Sequence, residues 1–171
     1  MILPPAFAEE KNTVHAVIET PRGSRNKYNY DEQHDFFKLK RVLPAGTFFP
    51  FDFGFIPHTK GEDGDPLDVM VISDYPSHTG CVIECRVIGV FEVVQKEKRQ
   101  KPVRNDRIFA VPRVSLNYSE IKKIEDLSDN LIKEVSHFFE YYTTMAGKEF
   151  RLIRTAGAVA AIRLIKNHLE D

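Results

Sequence analysis

The hydrophobic residues change their period about two thirds of the way along the chain, and no other feature limits the fold as tightly. Thr13–Glu19 alternates, with Val14, Ala16 and Ile18 on one side, and stops at the turn formers Pro21 and Gly23. Lys27–Tyr30, Phe36–Val42 and Phe48–Ile56 are aromatic-rich stretches of strand propensity, and Val69–Ser73 and Cys81–Val94 read as the clearest strands. Ile108–Val111 is expected to close the β portion. Beyond it the period becomes helical. Ser128 is a candidate N-cap, Leu131, Val135, Phe138 and Tyr142 form one apolar stripe, and Ala158, Ile162, Ile165 and Leu169 repeat the spacing. Two amphipathic helices against a mostly antiparallel sheet of five or more uneven strands predict a mainly β fold with α, closed or nearly closed into a barrel. With no repeat, linker or low-complexity tract, residues 1–171 are expected to form a single domain.

Composition excludes several classes. With 42% hydrophobic and 29% charged residues and 13 Phe, the chain is too apolar for disorder and too interrupted by charge for a membrane span. Lys plus Arg number 24 against 25 Asp plus Glu, so any electrostatic function must come from local clustering. Met1–Ala8 carries two prolines and no basic head, and it reads as a mature N-terminus. Cys81 and Cys85, four residues apart on one strand, would lie roughly 13 Å apart, beyond disulfide reach. Two buried thiols in a cytoplasmic setting are expected. Neither a second Cys pair nor a nearby His completes a zinc set.

The densest chemical signal is Glu62-Asp63-Gly64-Asp65-Pro66-Leu67-Asp68, where four carboxylates crowd the junction of a loop and a strand. Such crowding favours a cation over a solvated acidic turn, and a hard divalent ion such as Mg²⁺ takes carboxylate oxygens while keeping several waters. A calcium loop does not fit: counted from Asp63, the sixth position is Asp68 where Gly is required, and the twelfth is Asp74 rather than Glu. Glu19, Lys27 and Arg41 lie on or beside strands upstream, and basic groups near a metal-binding loop suit a phosphate-rich anion. The Gly-rich phosphate loop of nucleotide triphosphatases is absent. His137, on a helix beside Phe138, reads as a packing or contact residue.

Asp63-Gly64-Asp65-Pro66-Leu67-Asp68 followed by Val69-Met70-Val71 resembles the signature of the family I soluble inorganic pyrophosphatases. Val17–Pro21, Lys27-Tyr28, Phe55–Thr59, Ala110-Val111-Pro112 and His137–Glu140 resemble further blocks of that family in the same order. The resemblance implies a five-stranded OB-like barrel flanked by two helices, homo-oligomers, and Mg²⁺-dependent hydrolysis of pyrophosphate by a metal-activated water. It implies that Asp63, Asp65, Asp68 and Glu19 serve the metal, that Asp65 accepts the proton of the attacking water, and that Lys27, Arg41, Arg107 and Tyr142 hold the phosphates.

Several positions depart from the family pattern. Asn29 stands for a glutamate, Phe49 and Phe53 for tyrosines, and Thr143 for a lysine. Counting back from Pro112, Asn105 stands for an aspartate and Arg107 for a lysine, while Asp106 could supply the acid only with a shift of register. Fewer bound metals are therefore expected; one reading has Lys101, Arg104 or Arg107 supply part of the missing charge, and the commoner reading of such a charge run is a solvated loop. A degenerate homologue that binds a phosphorylated ligand or a protein partner is the competing reading. Nucleic acid binding through the basic Lys96–Arg107 hairpin is disfavoured by the net charge of -1.

Overall fold

The computed structural model describes residues 2–170. Its strands are β1 (Thr13–Thr20), β2 (Asn26–Asp31), β3 (Phe36–Val42), β4 (Asp52–Phe55), β5 (Asp68–Val71), β6 (Val82–Glu97), β7 (Val103–Arg104) and β8 (Arg107–Pro112). They are followed by helix α1 (Asp129–Met145), strand β9 (Lys148–Gly157) and helix α2 (Ala158–Asn167). The order β1-β4-β5-β8-β6 closes on itself because β6 also pairs with β1, from Thr13 opposite Arg86 to Val17 opposite Val82. This is the expected five-stranded barrel. Its pairs are antiparallel except β5 with β8, which run parallel.

β5 and β8 are buried on both faces, which explains their unbroken apolar runs. Val69, Val71, Ile108 and Ala110 turn toward a core that includes Ile18, Val87 and, from α2, Ala161 and Ile165. Met70, Ile72, Phe109 and Val111 turn toward a second core containing Phe49, Phe53, Phe91 and, from α1, Val135 and Phe139. One residue set of these strands thus shares a core with α2 and the other with α1.

Ser128 caps α1 as expected, its hydroxyl accepting the Leu131 N–H at 3.2 Å. The buried stripe of α1 is rotated from the expected one and consists of Val135, Phe139 and Thr143, because Phe138 and Tyr142 lie to one side against Phe49. Leu169 falls beyond the end of α2 and bridges to Thr59. The β portion does not close at Val111 either: β9 returns after α1 and pairs along the second half of β6. Strand β6 starts at Val82, leaving Cys81 outside it and half-buried, while Cys85 is fully buried; both thiols are free.

Barrel closure requires Gly54. A Cβ there would lie 1.9 Å from the Val17 carbonyl oxygen on the paired strand, a backbone atom that cannot retreat alone. Gly54→Ala is expected to cost about 3 kcal/mol or more, the upper range for overpacking. Urea unfolding checks this, and a midpoint unchanged from the wild type would show that β1 and β4 can separate without cost.

Candidate active site

Three local features build one cavity at the rim of the barrel. The first is the β2–β3 hairpin, whose register sets Lys27 directly opposite Arg41. Like charges across a strand pair repel, so this pairing persists most readily where an anion lies between them. The hairpin also carries an irregularity that leaves Lys40 without a partner between Arg41 and Leu39. The second is the parallel pairing of β5 with β8, which sets Asp68 opposite Arg107, and their side chains form an ion pair. The third is the last turn of α1, which supplies Tyr142 and Thr143.

The enclosed space is about 150 Å³ and is lined by Lys27, Asn29, Arg41, Phe53, Asp63, Asp65, Asp68, Asn105, Arg107, Tyr142 and Thr143. Lys40, Gln95, Ala146 and Lys148 complete the wall, and sequence reasoning identified none of the four. Gln95 is betrayed only by partnership: its Oε1 accepts from Asn105 Nδ2 at 3.3 Å, a contact between β6 and the segment after β7. Lys148 follows directly on Gly147, which ends α1 with φ +77° and turns the chain back to the rim.

Glu19 sits behind this wall. It falls at a bulge where β1 slips one residue against β4, so its side chain leaves the alternation and turns toward the hairpin. Glu19 Oε1 accepts the Tyr30 N–H at 2.6 Å, and Oε2 lies 3.8 Å from Lys27 Nζ. Burial pushes its carboxyl up to about 7 against the opposing pull of Lys27 and of the Tyr30 hydrogen bond, and the Asp68 and Asp65 charges raise it further. Asp63 and Asp68 are also raised, first by desolvation, with Arg107 opposing the rise at both.

The consequence for stability has a definite sign. Between about pH 4.5 and 7 the folded protein holds a proton on Glu19 that the unfolded chain has lost, so stability falls as pH rises through that window. The metal-free protein is expected to lose up to about 3 kcal/mol from this group between pH 4.5 and 7. Urea titrations at pH 5 and 7.5 measure the difference, and Glu19→Gln should flatten it. An equally steep decline in the variant would assign the proton elsewhere.

Among the described residues, the buried side-chain polar atoms without a hydrogen-bond partner are Asn29 Oδ1, Arg41 NH1, Arg107 Nε and Thr143 Oγ1, and all four residues line this cavity. Buried polar groups are ordinarily satisfied, and leaving one unpaired costs roughly 1–3 kcal/mol. Their concentration here marks a site that awaits a ligand. The aromatic groups fix the cations: Arg41 lies over Tyr142 at 5.5 Å, Lys27 over Phe53 at 5.2 Å and Arg107 over Phe139 at 5.6 Å. Phe53 reaches the cavity, whereas Phe49 is fully buried behind it, packed on Phe53, Phe138 and Tyr142.

No three His, Cys, Asp or Glu side chains among the described residues converge tightly enough to hold a metal by themselves. The oxygen donors of Asp63, Asp65 and Asp68 nevertheless open on the same cavity as the orphaned Asn29 Oδ1. An all-oxygen set that leaves positions for water and for ligand oxygens fits a hard divalent cation. The acidic loop holds its shape through Gly64, at φ +89°, and through hydrogen bonds from Gly61 N–H to Asp65 O and from Leu67 N–H to Thr59 Oγ1.

Asp106 does not substitute for Asn105. Its carboxylate is buried, accepts the Val93 N–H at 2.8 Å and is ion-paired with Arg104, so the register needs no shift. Arg104 is also bound to Glu92, and Lys148 to Glu97. Of the basic residues in the hairpin, Arg104 is thus neutralised by two carboxylates. His137 is exposed on α1, away from the cavity.

A closed barrel whose rim combines fixed cations with carboxylates able to share a hard cation defines a metal-assisted site for a compact polyanion. The comparisons with known proteins agree. The inorganic pyrophosphatase family model matches residues 16–171. The inorganic pyrophosphatase of Geobacillus stearothermophilus is 39% identical over 159 residues, 93% of each chain. The crystal structure of the inorganic pyrophosphatase from Thermus thermophilus superposes with a TM-score of 0.86 at 37% identity, covering 95% of this chain and 92% of that one. For the Neisseria gonorrhoeae enzyme the TM-score is 0.84 at 31% identity, with 96% and 93% covered. The chain belongs to the inorganic pyrophosphatase family.

Proposed function

We infer that this inorganic pyrophosphatase hydrolyses pyrophosphate to two phosphates in the rim cavity, with Mg²⁺ as its cation. The observation that carries the reading is the set of four unpartnered buried polar atoms around one cavity, two of them on guanidinium groups. Family membership brings divalent-metal chemistry. A bound divalent cation neutralises phosphate charge and acidifies a water.

The chain supplies the rest. Lys27 and Arg41, facing each other on the hairpin, hold the phosphates together with Arg107 and the Tyr142 hydroxyl. Asp63 and Asp68 would hold the cation, with Glu19 adding negative charge behind the wall. Asp65 is exposed on the loop, free to accept the proton of the attacking water. The departures at Asn29, Phe53, Asn105 and Thr143 leave these groups gathered in one cavity, so a binding-only role gains no support. Two free thiols support a reducing, cytoplasmic setting, and the exposed Tyr75 and Val114 on one shallow depression support self-association. No helix among the described residues is long and apolar enough to cross a membrane.

Phosphate release by the purified protein, with and without Mg²⁺, against pyrophosphate and a panel of other phosphoanhydrides tests the reading. Release is expected from pyrophosphate foremost and only with the divalent cation. No release from pyrophosphate with any divalent metal would overturn it.

A further inference from the structure

We propose that Arg107 is a resident counter-cation for Asp68, clamped by the amides of Asn105 and Gln95, and that it contests this carboxylate with a divalent ion. The proposal rests on the functional reading only for the identity of the cavity.

The geometry forms a chain of four side chains. Gln95 Oε1 accepts from Asn105 Nδ2 at 3.3 Å; Asn105 Oδ1 accepts from Arg107 NH1; and the same NH1 meets Asp68 Oδ2. Arg107 NH1 also donates to the Asn105 carbonyl oxygen at 3.1 Å. The guanidinium is buried and lies over the Phe139 ring, so it is a fixed part of the wall. Cross-strand register rather than side-chain flexibility brings it to Asp68, since the two residues are direct partners between β5 and β8.

The clamp residues are neutral, and this matters. A carboxylate at position 105 or 95 would divide the guanidinium charge among several acids. Amide oxygens instead hold the group by hydrogen bonding and leave its charge directed at Asp68. Of the three basic residues that could compensate for missing metal ligands, Arg104 is committed to Asp106 and Glu92, and Lys101 is exposed outside this cavity. Arg107 alone of the three lies in it, with Nε unpartnered. Asn105 and Gln95 are then positioning residues, acting through Arg107.

Mn²⁺ titration of the full chain, with free ion read by electron paramagnetic resonance, tests the proposal without turnover. Arg107→Met keeps the contact with Phe139 and removes the charge. It is expected to bind Mn²⁺ at least tenfold more tightly than the wild type, and adding Asp68→Asn should abolish that gain. Unchanged affinity in Arg107→Met, or a gain that survives Asp68→Asn, would overturn the competition. Should the variant lose its cooperative melt, the wild type suffices: Mg²⁺ must shift the Arg107 Nε–H resonance, and a resonance indifferent to saturating Mg²⁺ contradicts the proposal. Asn105→Ala should broaden that resonance in the metal-free protein; an unaltered line would remove the clamp. A wild type that released no phosphate would overturn the functional reading and leave these binding results to stand by themselves.

Discussion

Asp65→Asn is expected to lower pyrophosphate turnover by about 10²–10⁴-fold, the range for loss of a positioned general base, while leaving the melting temperature unchanged. Asp65 is exposed on the loop, and its side chain supports no buried partner. Asp68→Asn should behave differently. Its removal leaves the buried Arg107 guanidinium without its carboxylate, which costs about 3–5 kcal/mol when one partner of a buried pair is deleted. Turnover and stability therefore fall together at position 68 and separate at position 65. Steady-state phosphate release alongside thermal unfolding distinguishes the two. Wild-type turnover in either variant would move catalysis away from this loop.

The second large effect concerns the missing acids. Asn29 and Asn105 line the cavity as amides, so Asn29→Glu with Asn105→Asp adds two carboxylates where the orphaned Asn29 Oδ1 already awaits a partner. The double variant is expected to bind at least one more Mg²⁺ per chain and to raise turnover at saturating Mg²⁺ by about tenfold or more, the equivalent of roughly 1.4 kcal/mol in the barrier. Phe53→Tyr and Thr143→Lys should add less, each contributing one polar group to the same wall. Phe49→Tyr should add nothing, because that ring is sealed among Phe53, Phe138 and Tyr142 away from the cavity. Calorimetric Mg²⁺ counts and phosphate release measure both parts. An unchanged count would show that the present ligands already saturate the site.

The sequence made the barrel strands legible because Val14, Ala16 and Ile18 mark one face of β1, and β5 and β8 are short apolar runs buried on two faces. It concealed β9. Phe150 and Leu152 do alternate there toward the α1 core, but Lys148, Glu149, Arg151 and Arg154 surround them, and half of the strand faces outward. The stripe on α1 was misplaced by one position because Phe138 and Tyr142 are apolar without facing the sheet; they pack on Phe49 beside the cavity. The acidic loop, Lys27, Arg41 and Tyr142 were legible through motif and resemblance. Gln95, Lys40 and Lys148 were not, since each reaches the wall through register or a turn. The fate of Asp106 likewise needed the Val93 N–H and Arg104 that hold it away.

The claim that one rim cavity holds both the polyanion and its cation is tested most directly by a crystal grown with Mn²⁺ and phosphate, with manganese located by anomalous scattering. The account predicts phosphate among Lys27, Arg41, Arg107 and Tyr142, with manganese on the carboxylates of Asp63 and Asp68. Phosphate bound elsewhere, or manganese absent from that loop while phosphate occupies the cavity, would contradict it.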